Sequence, residues 1–166
     1  MTRPVIDDPR FPDGYVPERT GRHVEWDTAV VWLTEACHYW LATTRPDGTP
    51  HVVPRWGVWW DGRFWYDGAP DTRHARNLAG NPACALHLES GEQVLILEGE
   101  ARPTGALDIE TGRALAEEYA RKYAPAYNPP PDAWSGPGGG GMILFTPKRG
   151  FAWSRFPDDV TRYTWL

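Results

Sequence analysis

The chain has 166 residues, 41% hydrophobic and 23% charged, with a formal net charge of −5. That composition is ordinary for one globular domain with room to bury a core. It speaks against a sequence-independent nucleic-acid binder, because no basic run exceeds Lys148-Arg149, and no apolar run approaches the roughly 20 residues of a membrane span.

Residues 1–25 are polar and proline-rich and read as an irregular N-terminal arm. They lack the apolar core of a signal peptide, so a cytoplasmic location is the expectation. Residues 26–166 read as a single domain. From Trp26 the pattern turns helical: Trp26, Val30, Leu33 and Cys37 fall at helical spacing, with Asp27 as a candidate cap. A strand, "CHYWLATTR", follows. The turn "PDGT" leads to a second strand, "PHVVPRWGVWW". Pro54 inside it marks an edge, a bulge or a point where pairing stops. Asp61-Gly62 is a strong hairpin signal and joins it to "RFWYDG". Residues 37–68 therefore read as an antiparallel meander.

The stretch "DTRHARNLAGNP" reads as a short helix, capped at Asp71 or Thr72 and stopped at Asn81-Pro82. Arg73, His74 and Arg76 lie where the helix dipole disfavours cations. The backbone N–H groups at a helix start favour an anion, and a phosphate there would turn the disfavoured charges into a site. Two nearly continuous apolar runs, "ACALHLES" and "QVLILEGEARP", read as central strands. Residues 107–124 form the longest predicted helix, with Leu115, Tyr119 and Tyr123 on one face. Residues 125–141 are too rich in glycine and proline for a regular interior and read as a loop. Trp134 is the side chain through which that loop would close over a ligand. The chain ends in "MILFTP", "GFAWSRF" and "TRYTWL", with "PDDV" as a turn. The fold class is therefore mainly β, an antiparallel closed or nearly closed barrel with peripheral helices.

Few constellations carry chemistry. His23, His38, His51, His74 and His87 are scattered without metal-ligand spacing, and Cys37 and Cys84 are isolated and read as buried, reduced thiols. No serine nucleophile motif is present. Of the 17 basic residues only Lys122 and Lys148 are lysines, and arginine supplies planar contacts to carboxylate and phosphate. Trp56, Trp59, Trp60, Phe64, Trp65 and Tyr66 cannot all face one core, because strand side chains alternate. Some of them must line a cavity or an interface.

The segment "YWLATTRPDGTPHVVPRWGVWWDGRFWYDGAPDTRHARNLAGNPACALHLES", and the ending "GFAWSRFPDDVTRYTW" more loosely, resemble the pyridoxamine 5'-phosphate oxidase-like proteins. Their fold is the FMN-binding split β-barrel. The resemblance implies a homodimer with cofactor sites at the subunit interface. By motif match, Thr72 and Arg73 would hold the cofactor phosphate. Val53, Pro54, Arg55 and Trp56 would run beside the ring, partly through backbone groups, and Tyr66, Asp67 and Gly68 along the ribityl chain. Trp153 would close the site from the other subunit. The chain departs from the family at His74, where lysine is usual. It also lacks the Arg-Leu-x-Pro-like ending of true pyridoxamine-phosphate oxidases, so vitamin B6 oxidation is not expected. The ending is similar to that of the flavin/deazaflavin oxidoreductases, which implies coenzyme F-420, in preference to FMN, and hydride transfer to a small unsaturated or conjugated acceptor. Arg45, Arg55, Arg63 and Arg76 are candidates for the acidic tail of F-420. Tyr66 or His51 would be the protonating group if one is used. A non-catalytic protein of the same fold that binds flavin, deazaflavin or haem is the alternative.

Overall fold

The computed structural model describes residues 3–17, 21–136 and 140–166. Along the chain run β1 (Val5–Asp7), α1 (Trp26–Glu35), β2 (Tyr39–Thr44), β3 (Pro50–Arg55), β4 (Val58–Trp60), β5 (Arg63–Tyr66), α2 (Arg73–Gly80), β6 (Ala83–His87), β7 (Val94–Pro103), α3 (Ile109–Tyr123), β8 (Ile143–Trp153) and β9 (Thr161–Thr164). All strand pairs are antiparallel, in the order β1-β9-β8-β7-β6-β2-β3, with β5 pairing both β4 and β8. The pairing path leaves β8 through β7, β6 and β2 to β3. It then passes along the chain into β4 and returns through β5 to β8. The ring is hydrogen-bonded everywhere except between β3 and β4. This is a split barrel with three helices outside it among the described residues, as the sequence leads one to expect.

The local rules explain the elements. Asp61 and Gly62 both have positive φ, 49° and 70°, the geometry that a two-residue hairpin turn requires. Pro54 sits on β3, whose only partner among the described residues is β2, so its missing N–H removes no ladder bond. In α1 the buried residues are Trp26, Ala29 and Leu33. Asp108 caps α3 by accepting from the Thr111 backbone N–H at 2.8 Å. The barrel interior is filled by Tyr39, Leu41, Phe64, Tyr66, Leu86, Leu97, Phe145 and Tyr163, all nearly inaccessible. A second, smaller core joins α3 to Val58, Trp65, Trp134 and Met142.

Four expectations change. The arm is not wholly irregular, because Val5–Asp7 pairs with Arg162–Thr164 of β9. "PHVVPRWGVWW" is two strands that part at Trp56-Gly57. "MILFTP" and "GFAW" merge into the single strand β8, and a register shift between Glu98 and Gly99 accommodates Pro147 within it. Cys37 lies beyond α1 and is exposed, while Cys84 is half-buried, and both thiols are free.

The turn between β8 and β9 is held by Asp159. Its carboxylate accepts from the Ser154 and Arg155 backbone N–H groups at 3.1 and 2.8 Å and from the Ser154 hydroxyl at 2.7 Å. Burial pushes this carboxyl up, but those donors together outweigh burial and hold it below the usual range. Asp159→Ala is expected to cost about 1–3 kcal/mol. Because the folded pKa is depressed, that contribution is complete above about pH 4 and is lost as pH falls through the lowered value. Melting both proteins from pH 7 down to pH 2 checks this: their difference should shrink at the acid end, and a constant difference contradicts the assignment.

Candidate functional site

The break between β3 and β4 opens a cavity of about 340 Å³ lined by Pro54, Arg55, Trp56, Asp67, Tyr119 and Tyr127. That size is typical of small-molecule sites. Trp56 follows the last residue of the edge strand and lies flat against Tyr123, with ring centroids 4.9 Å apart and an interplanar angle of 8°. It is still 40% exposed, so one face is open. Tyr119 is almost inaccessible; its hydroxyl lies 3.4 Å from the Trp56 carbonyl and 3.3 Å from the Trp65 carbonyl. The Tyr127 hydroxyl donates to Asp67 Oδ2 at 3.0 Å. Burial, and then the Asp67 charge, push that phenol up to about 12.

The split is braced from behind. The Gly57 N–H donates to the Tyr123 hydroxyl at 2.9 Å, and that hydroxyl faces the carbonyls of Cys37 and Gly57 at 2.9 and 2.8 Å. Lys122 Nζ donates to the Tyr39 hydroxyl at 2.5 Å and sits 4.7 Å from that ring's centroid. Burial lowers its pKa to about 8.

Arg55 reaches from β3 across the cavity mouth. Its Nη2 donates to the Asp67 main-chain oxygen, and its guanidinium carbon stands 5.3 Å from the Tyr66 ring centroid. Its Nε is buried without a partner, as are the Tyr66 hydroxyl and His51 Nδ1. Tyr66 is inaccessible, and burial above all pushes its phenol far up. Beside this group begins α2. Thr72 is its N-cap residue, yet its side chain does not cap; Thr72 Oγ1 donates instead to the Ala69 carbonyl at 2.8 Å. The first-turn N–H groups therefore keep their affinity for an anion. Arg73 and Arg76 are exposed, and no described carboxylate pairs with either.

His74 is not the third exposed cation of that turn. Its ring is turned inward, 3% exposed, 5.8 Å from the Tyr66 ring and 3.4 Å from Thr72 Oγ1 through Nε2. Burial first, and then the Arg55 and His51 charges, push it down to about 4, so it is neutral at pH 7.

The sequence pattern of the pyridoxamine 5'-phosphate oxidase family matches residues 27–154. The chain belongs to this family. No curated protein matches its sequence. Solved structures of similar fold include a conserved hypothetical protein from Mycobacterium tuberculosis, 20% identical, with 83% of this chain and 89% of that one covered and a TM-score of 0.65. A NimC/NimA family protein from Clostridium acetobutylicum is 19% identical over 84% and 91% of the two chains, with a TM-score of 0.60. The haem storage protein HutZ from Vibrio cholerae is 20% identical over 69% and 83%, with a TM-score of 0.53. At these identities the likeness is one of fold.

Within this family member, Pro54, Arg55, Trp56 and Asp67 line the cavity; Tyr66, Gly68 and His74 lie behind it around the Arg55 side chain, Thr72 lies next to His74, and Arg73 and Arg76 are exposed on α2. Val53 packs against the barrel core and offers the cleft only its backbone. Trp153 stands apart, with its ring 6.1 Å from Phe156. Arg63 is paired with Asp61 on the hairpin, 2.9 Å away. Trp134 is 3% exposed and packed on Tyr119, with centroids 5.1 Å apart, so it belongs to the second core. Residues 137–139 of its loop lie outside the described residues. Sequence reasoning missed Tyr119 and Tyr127 as lining residues. The helical face carrying Tyr119 was visible, but nothing local shows that this face closes the β3–β4 split.

Proposed function

We propose that this protein is a flavin- or deazaflavin-dependent oxidoreductase that works as a homodimer and passes hydride from reduced coenzyme F-420, or from FMN, to a small unsaturated or conjugated acceptor. The carrying observation is the pairing of an uncapped start of α2, flanked by the exposed Arg73 and Arg76, with an aromatic cavity lined by Arg55. The residues fit a planar coenzyme with a phosphoryl group: Arg73, Thr72 and the uncapped start of α2 would hold the phosphoryl, with Tyr66, Asp67 and Gly68 along the connecting chain. Bound there, the coenzyme would supply the hydride chemistry.

The chain's own part is to bind, orient and exclude water. Trp56 offers a flat face to a ring. Tyr127 is oriented by Asp67, so its proton is directed at the carboxylate and away from an acceptor. The Tyr66 hydroxyl is sealed from solvent. No side chain is therefore asked to act as an acid, and solvent protonates the product. No histidine lines the cavity, which disfavours haem with an axial imidazole in that place.

The test is thermal melting with FMN and F-420 side by side. A coenzyme at 100 times its dissociation constant should stabilise by about 2.7 kcal/mol, raising Tm by roughly 5–10 °C. The reduced complex is then offered a panel of conjugated acceptors. If neither coenzyme shifts Tm, the reading is wrong. A shift without oxidation by any acceptor leaves a non-catalytic carrier.

A further inference from the structure

Arg55 has a charge without a counter-ion. The carboxylate of Asp67, whose main-chain oxygen Arg55 meets, is itself engaged by Tyr127 at 3.0 Å. No described acidic side chain forms an ion pair with Arg55. Its Nε is buried and unpartnered, and next to it the wholly buried Tyr66 keeps an unpartnered hydroxyl. A half-buried guanidinium in this state lacks the anion that normally offsets its desolvation.

The same point in the fold needs a second cation. The phosphate monoester of FMN carries close to two negative charges near neutral pH. Arg73 supplies one positive charge at the start of α2, and His74, beside it, supplies none. Arg55 and His74 flank a common point: a Cβ built on Gly68 would lie 3.1 Å from His74 Nε2 and 3.3 Å from Arg55 Nη2. A side chain at position 68 would crowd both groups.

Resting on the coenzyme reading above, we infer that Arg55 is the second phosphoryl-binding cation of the site and that His74 is a neutral wedge that keeps it aimed. The ligand class is a phosphoryl-bearing planar coenzyme. Arg55 would offer the phosphoryl group a charge-assisted contact from a terminal nitrogen of its guanidinium. Two side chains from separate elements thus do what two adjacent cations on one helix turn would do, without placing a further charge against the helix dipole.

The experiment compares FMN with riboflavin, which lacks the phosphate, by fluorescence titration at fixed salt. Proteins to be tested are the parent, Arg55→Gln, Arg55→Lys and the double variant Arg55→Gln/His74→Lys. Loss of one charge-assisted contact should weaken FMN about tenfold or more in Arg55→Gln and weaken riboflavin by clearly less. Arg55→Lys should fall between, and the double variant should recover most of the lost affinity. Equal losses for FMN and riboflavin, or no loss for FMN, overturn the assignment. A second measurement follows the Arg55 Nε–H resonance as inorganic phosphate is added. A shift that is absent in Arg73→Ala supports a joint site even if no coenzyme binds, in which case only the oxidoreductase reading falls. No shift, together with no FMN binding, overturns both.

Discussion

Replacing Arg73 by alanine is expected to weaken binding of both FMN and F-420 by about 10–100-fold, the worth of one hydrogen bond to a charged group. The effect should be confined to binding. Arg73 is exposed and has no described ion pair, so the melting temperature without ligand should stay within the small range of surface substitutions. Isothermal titration at two salt concentrations is the check. The loss should be larger at low salt, where a phosphoryl–guanidinium attraction is less screened. Unchanged dissociation constants would remove the phosphoryl group from the start of α2, and with it the main support for a coenzyme.

The largest expected effect on stability comes from Gly57. A Cβ there would lie 2.3 and 2.4 Å from two carbons of the Phe64 ring and 2.7 Å from the Trp65 carbonyl oxygen. Phe64 is wholly buried against Tyr39 and Tyr66, with centroids 4.3 and 5.6 Å away, so it has nowhere to move. Gly57→Ala should therefore cost about 2–4 kcal/mol and lower Tm by roughly 4–16 °C. It should also disturb the cavity, because Gly57 holds Tyr123, and Tyr123 carries the face on which Trp56 lies. A denaturant melt together with the Trp fluorescence spectrum would show both. A variant as stable as the parent would mean that Phe64 can repack.

Local chemistry made much of the architecture legible. The Asp61-Gly62 turn, the edge proline of β3, the central apolar strands β6 and β7 and the boundaries of α2 all follow from rules that operate within a few residues. What escaped is set by partners distant in sequence. Nothing in "PHVVPRWGVWW" announces that its first half pairs with β2 and its second with β5. At the parting, any side chain on residue 57 is excluded by Phe64, which lies on another strand. "MILFTP" and "GFAWSRF" read as two strands, yet the shifted register opposite Gly99 admits Pro147, and Gly150 pairs regularly with Leu97. The site divides in the same way. The α2 start was visible as a charge pattern, whereas the inward turn of His74 and the reach of Arg55 to Asp67 depend on how three elements meet. Tyr127 was hidden in a segment whose composition says only that it is irregular.

The position of β8 has a consequence for how the chain is made. β4 and β5 pair with each other, but their only other strand partner among the described residues is Ile143–Phe145, near the end of the sequence. On the ribosome the N-terminal hairpins emerge first, and Trp59, Phe64 and Trp65 wait in water with one side of β5 unpaired. The barrel can close only when the C-terminal strand arrives. Pairings between such distant segments form late, and the species that precede them are prone to aggregate. A nascent chain stalled before residue 142 would expose its most aromatic hairpin to any chaperone within reach, and premature termination there would yield a sticky fragment instead of a smaller folded protein.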